Sequence, residues 1–277
     1  MYKRQLLDKL GNNNAAGEYY LTDTVAVAEK KGVYTADSTD VVLGANSRSQ
    51  LAALNEVARK RKLAELMDEG VDIPLSDGII IGKDVKIGHD TVILPNTIIK
   101  GKTVIGNSCE IGPNSYIADC VIEDNVILNN VQAHESKVDS KAKAGPFVHL
   151  RPNTHLHSGV KIGDFVEVKN SEIGINTCIA HLTYVGDSDV GKGVNFGCGC
   201  VTANYDGIKK YRTTIGDNAF IGCNTNLIAP VTIGDNATTA AGSTITKNVP
   251  ADSLAVERGQ TRIIEHWEKN SKRIKKA

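Results

Sequence analysis

The stretch Ile81-Gly-Lys-Asp-Val-Lys-Ile87-Gly-His-Asp-Thr-Val-Ile93-Leu-Pro-Asn-Thr-Ile-Ile99 places an isoleucine at every sixth position, and the beat continues through Ile105, Ile111 and Ile117. Six is not a helical period: an α-helix would scatter these side chains around its whole circumference. It is a multiple of the strand period of two, so every marked residue points to the same side of an extended chain. The register slips by one at Ile122 and Leu128 and resumes at Val138, Ala144, Leu150, Leu156, Ile162 and Val168. After a second slip come Ile173, Ile179, Val185, Val190 and Phe196, and past an interruption Ile215, Ile221, Leu227, Ile233, Thr239 and Ile245. Glycine often follows the apolar position (Gly82, Gly88, Gly106, Gly112, Gly163, Gly174, Gly216, Gly222, Gly234), which suggests a turn with positive φ at each of them. A β-sandwich does not hold one register over so many residues. Three hexads make one triangular coil, and stacked coils bury the marked side chains on their neighbours one coil away.

Composition narrows the function classes. With 32 Lys+Arg against 32 Asp+Glu, no overall field draws the chain to nucleic acid or to an anionic membrane. No apolar run approaches the ~20 residues that span a bilayer, and the opening five residues are too short and polar for a signal peptide. Six scattered cysteines (Cys109, Cys120, Cys178, Cys198, Cys200, Cys223) lack the density of a disulfide scaffold and suit a cytoplasmic protein. Aromatic residues at 5% beside 26 glycines fit thin coils better than a bulky core.

The ends differ in character. Leu51, Leu54, Val57, Ala58, Leu63 and Leu66 predict an amphipathic helix from Ser47 to about Glu69, capped by Asn46 or Ser47 and stopped at Gly70. Pro250 closes the repeats, and a second helix is expected from about Gln260 to Ser271 with Trp267, followed by a basic tail. The organisation expected is a remnant over residues 1–45, a linker helix over 46–70, the repeat domain over 71–250, and a helix with tail over 251–277. Asn204-Tyr-Asp-Gly-Ile-Lys-Lys-Tyr-Arg-Thr-Thr214 breaks the beat. Insertions in a solenoid form loops on one face, and Tyr205, Lys209, Lys210 and Arg212 around an Asp206-Gly207 turn suit phosphate or ring contacts.

His181 lies between two coil positions, near Glu167, Lys169, Asn195 and Asn204 in the stack. An imidazole is matched to taking a proton from an amine near neutrality. Glu167 is suited to orienting that imidazole or holding the ammonium form. Asn204 is suited to stabilising an oxyanion on a thioester carbonyl. Arg151 and Lys169 can clamp a sugar phosphate. The other histidines show no paired metal-ligand spacing, although His155 and His157, two apart, can share a face. Cys198 and Cys200 lack the second pair a zinc site requires.

With those residues in place, the chain resembles the bacterial bifunctional glucosamine-1-phosphate N-acetyltransferase / N-acetylglucosamine-1-phosphate uridylyltransferase family. The resemblance rests on Gly145-Pro-Phe-Val-His-Leu-Arg-Pro152, Gly163-Asp-Phe-Val-Glu-Val-Lys169, His181-Leu-Thr-Tyr-Val-Gly-Asp187, Asn195-Phe-Gly, Asn204-Tyr-Asp-Gly207, Ala229-Pro-Val231 and Ala240-Ala-Gly242. It implies a left-handed parallel β-helix, a homotrimer with active sites between subunits, and acetyl transfer from acetyl-CoA to the amine of glucosamine 1-phosphate. It implies His181 as general base, and Arg151, Lys169, Tyr184, Asn195 and Lys210 as sugar-phosphate contacts. Cys198, Asn204, Tyr205, Cys223, Ala241 and Arg258 correspond to acetyl-CoA contacts. Cys198 and Cys223 depart from the Ala and Ser of some members, so any contact through the Ser hydroxyl is in doubt. Residues 1–45 resemble a late piece of the uridylyltransferase domain, in which Asn46 matches a vestigial Mg2+ position. The family's nucleotide loop and aspartate ligand are not found ahead of it, so no uridylyl transfer is expected of this chain. A related acyltransferase acting on another amino sugar, and a non-catalytic solenoid, remain alternatives.

Overall fold

The computed structural model describes residues 6–36 and 38–267. The chain divides into two compact units, Met1–Val57 and Ala58–Ala277. Within the first, the described residues form short helical turns (Leu21–Asp23, Thr24–Val27, Thr39–Val42) and no strand.

The second unit is a left-handed parallel β-helix. Among the described residues, short strands enter three sheets in turn, the last strand alone skipping the second, with ten strands in the first, nine in the second and ten in the third. All sheet pairing is parallel, and Ile80 pairs with Ile98, Lys86 with Val104 and Val92 with Glu110, so the first coil takes eighteen residues. The expected ladder is the core. Ile81, Ile99 and Ile117 stack inside the first sheet, Ile87, Ile105 and Ile122 inside the second, and Ile93, Ile111 and Leu128 inside the third. The structure adds Ala133 and Thr202 as inward rungs where the sequence pattern is silent. Both are too small or too polar to register in a hydrophobic count.

The glycines after the ladder positions have a different cause from the one expected. Of them only Gly112 has positive φ. At Gly163 an added Cβ would lie 2.0 Å from the Ala180 carbonyl oxygen of the next coil. Glycine is there because neighbouring coils pass too close for a side chain. The left-handed residue comes two positions later, as in Asn114, Asn176, Asn218, Asn224 and Asn236, where Asn tolerates αL by local hydrogen bonding.

Helix α1 spans Arg48–Asp68. Ser47 Oγ accepts from the Gln50 N–H at 3.2 Å while Gln50 Oε1 accepts from the Asn46 N–H at 2.7 Å, a reciprocal N-terminal cap. At the other end Gly70 has φ +92° and the Val71 N–H reaches the Leu66 carbonyl, the Schellman closure that stops the helix. Leu63 and Leu66 are buried with Val71 and Ile73 at the start of the stack, which covers apolar surface that the first coil would otherwise leave open. The helix expected from Gln260 is not formed over residues 260–266, and its remainder and the basic tail fall outside the described residues.

Candidate active site

Most of the expected residues fall on the first sheet and on its two edges. Glu167 and Tyr184 point outward from adjacent strands of that sheet, in direct register. Lys169 ends its strand and Arg151 follows the strand Val148–Leu150 at the corner leading to the second sheet, and Asn204 opens the insertion at the same corner.

That corner carries a polar cluster. Asp187, only 4% exposed, accepts hydrogen bonds from the Asn170 and Asn204 side-chain amides and lies 3.6 Å from Lys169 Nζ. Burial alone would raise its carboxyl pKa. The two amide donors and the charges of Lys169 and Lys210 outweigh burial and hold it below the usual carboxylate range. Its neighbour Lys210 first, and burial second, lower the Lys169 pKa against the opposing pull of Asp187. Arg151 Nη1 donates to Glu167 Oε1 at 2.8 Å, which raises the guanidinium pKa further. Glu167 is therefore engaged by Arg151, which leaves holding an ammonium group, rather than orienting the His181 imidazole, as the expected role this geometry suits. Among the described residues, no hydrogen bond to the His181 imidazole is formed. Asn204 is likewise turned toward Asp187, and its amide is 3.5 Å from the Tyr184 hydroxyl.

His181 occupies the opposite corner, between the third and first sheets. Above it the Gly199 N–H reaches the His181 carbonyl, the Asn224 N–H the Cys198 carbonyl, and the Gly242 N–H the Cys223 carbonyl. These contacts stack His181, Cys198, Cys223 and Ala241 as one column, one residue per coil. Of the remaining expected contacts, Asn195 is exposed at the start of a third-sheet strand. Arg258 is exposed beyond the last strand, Leu254–Ala255.

The insertion forms a tight hairpin. Asp206 Oδ1 accepts from the Ile208 and Lys209 N–H groups at 2.8 Å, Gly207 takes φ +97°, and Tyr205 bridges Lys210. Tyr205 itself is exposed, its hydroxyl donating to the Gly207 carbonyl at 2.7 Å. Arg212, grouped in sequence with the phosphate-seeking cations, instead anchors the hairpin. It donates to Asp189 Oδ2 at 2.9 Å and to the Asn170 and Ser188 carbonyls at 3.1 Å. The residue that sequence reasoning passed over is Asp187. It stands in a conspicuous segment, yet nothing in the spacing says that two amides and two lysines converge on it.

Asn46 lies at the helix N-terminus, where its backbone N–H donates to Gln50 Oε1 at 2.7 Å.

The bacterial transferase hexapeptide family (six repeats) matches residues 212–247. The bifunctional protein GlmU of Acetivibrio thermocellus is 51% identical over 267 residues, 95% of this chain and 58% of that protein. This chain is a hexapeptide-repeat homologue of GlmU. The GlmU of Clostridium acetobutylicum is 48% identical over 94% of the chain and 58% of its own length. That of Desulfitobacterium hafniense DCB-2 is 46% identical over 98% of the chain and 60% of its own. The chain thus spans about three-fifths of the curated relatives it matches. No helix among its described residues is long and apolar enough to cross a membrane.

Proposed function

We propose that this chain transfers acetyl from acetyl-CoA to the amine of glucosamine 1-phosphate, giving N-acetylglucosamine 1-phosphate for UDP-N-acetylglucosamine and cell-wall precursor synthesis. The Lys169–Asp187–Lys210 cluster carries the reading. Lys169 lies 3.6 Å from the Asp187 carboxylate, and the charge of Lys210 acts on both and lowers the Lys169 pKa, a repulsion that a phosphate dianion relieves. Arg151 adds a planar, always-charged donor at the same corner. Tyr184 and Glu167 lie beside it to meet sugar hydroxyls or the amine, and Asn195 is assigned to the sugar phosphate as well.

In the reaction the neutral amine attacks the thioester carbonyl. The C–N bond forms, the C–S bond breaks, and the excess amine proton passes to His181 and on to the departing coenzyme A thiolate. An imidazole free of protein partners is suited to this exchange. The column His181, Cys198, Cys223 and Ala241 supports a thioester arm running along that corner, with Asn204, Tyr205 and Arg258 assigned to the rest of acetyl-CoA.

The column and the cation cluster lie on opposite edges of the first sheet, and this supports a homotrimer with each site shared between chains. A second observation favours assembly. Phe147, Phe165 and Leu182 occupy left-handed corner positions on three successive coils, all mostly exposed, with the two phenyl rings stacked at 5.1 Å. Bulky side chains in αL and in water are doubly unfavourable unless another surface covers them. We further propose that the residues of this chain transfer no uridylyl group, because the nucleotide loop and aspartate ligand of the resembled family have no counterpart in them.

The test is acetyl-CoA consumption by the purified chain with glucosamine 1-phosphate, in parallel with other amino sugars. Product from glucosamine 1-phosphate is expected. Turnover with a different amine alone would identify an acyltransferase of other specificity, and no turnover with any amine a non-catalytic solenoid. UDP-sugar formation from N-acetylglucosamine 1-phosphate, UTP and Mg2+ would overturn the uridylyl statement.

A further inference from the structure

The outer surface of the second sheet holds a cluster unrelated to the acetyl-transfer residues. Lys137 pairs with His155 and His155 with Glu172 in the parallel ladder, so these side chains project from three successive coils. His155 and His157 flank the inward Leu156 and therefore share the outer face, and Asp139 follows the inward Val138 to reach the same place. One ligand atom each from Asp139, His155 and His157 lies within 4.8 Å of the others.

The separations are those of a coordination shell. His155 Nε2 is 2.9 Å from Asp139 Oδ1, and His157 Nδ1 is 3.3 Å from Asp139 Oδ2. Glu172 Oε2 lies 2.9 Å from His155 Nδ1 and 3.0 Å from His157 Nε2, the nitrogens that do not face Asp139, where a carboxylate orients metal-binding rings. Ligands of a tetrahedral zinc ion held at 2.0–2.1 Å sit about 3.3 Å apart. Donor counting points the same way. The two rings make four N···O contacts with two carboxylates, yet two neutral imidazoles carry only two N–H groups between them. With ring centroids 4.0 Å apart, filling the deficit by placing a proton on each ring would set two cations face to face. Lys137 Nζ, 2.9 Å from Asp139 Oδ1, supplies one positive charge from a flexible, half-exposed side chain that can swing out to solvent.

We propose that Asp139, His155 and His157, completed by water, bind a divalent transition ion, with zinc the best match. Imidazole and carboxylate ligands without thiolate select zinc, cobalt or nickel over the oxygen-seeking magnesium and calcium. Because Asp139 and the histidines come from two consecutive coils, the ion fastens two rungs whose cohesion is otherwise a sum of nearest-neighbour contacts, and Glu172 ties the same rings to a third.

The experiment is a metal count on chelator-stripped protein, dialysed against ZnCl2 and then buffer, for the natural chain, His157→Ala and the double variant His155→Ala/His157→Ala. The six thiols contribute equally to all three, so the difference reports this site alone. The natural chain should retain one more zinc per chain than either variant, and zinc should raise its melting temperature but not theirs. His157 is half-exposed, so its loss leaves the coil packing intact, and the single variant decides the matter if the double one fails to fold. Equal zinc in the natural chain and the folded variants overturns the proposal, as does a gain that magnesium produces equally well.

Discussion

Lys169 Nζ stands 3.6 Å from Asp187 Oδ2, and that carboxylate in turn accepts from the side-chain amides of Asn170 and Asn204. One buried acid thus ties together residues of three coils at the corner where the insertion leaves the stack. Asp187→Asn replaces an acceptor of two amide donors by a group that is half donor, leaving a buried polar atom mismatched. Stability should fall by about 1–3 kcal/mol, read as a lower urea midpoint with unchanged slope.

The same carboxylate sets an acid limb. Its pKa is held below the usual range in the folded chain, while an unfolded aspartate titrates near ~3.9. The stabilisation is therefore fully present above about pH 4 and is lost as pH falls through the lower folded value. The stability gap between the natural chain and Asp187→Asn should be constant from neutrality to about pH 5 and shrink below pH 4. A gap that widens on acidification would contradict the assignment.

His181 is exposed and, among the described residues, its imidazole makes no hydrogen bond. Removing it should leave folding within about 0.5 kcal/mol of the natural chain. His181→Ala should nevertheless lower the acetyl-transfer rate by about 10²-fold or more. Steady-state rates alongside thermal melts separate the two effects, and an unchanged rate removes His181 from the role of base.

Phe165 combines φ +57° with 58% exposure. Asn is at ease in αL, so Phe165→Asn relaxes the corner of a single chain while stripping the ridge of its central ring. Sedimentation should show a shift from trimer toward monomer, with acetyl transfer falling in parallel. An unaltered mass in solution would mean that this ridge does not join the chains.

Gly163 and Gly242 separate two reasons for glycine. At Gly163 a Cβ meets a backbone oxygen of the next coil at 2.0 Å, whereas at Gly242 φ is +75° and the space is open. Gly163→Ala must push two coils apart and should lower stability by about 1–3 kcal/mol or more. Gly242→Ala incurs only the left-handed penalty of about 1–2 kcal/mol. Chemical denaturation of the two variants checks the order.

Much of this molecule is legible in one dimension because its core is one-dimensional. Each coil repeats the last, so Ile81, Ile99 and Ile117 reveal the same inward column whether read along the chain or down the stack. Period six, the interruption at Asn204, and the place of His181 just before Tyr184 all follow from local order.

What joins residues across coils depends on which outward side chain lies above which, and that is set by five- and six-residue turns whose lengths accumulate along the stack. Only the tertiary structure decided that Glu167 faces Arg151, that Asp187 gathers Lys169, Asn170 and Asn204, and that Arg212 serves as an anchor. It likewise decided that Asp139 meets His155 and His157. Outward polar residues carry no periodic signal, since water tolerates nearly any of them at any one position, so their partnerships exist only once the rungs are stacked.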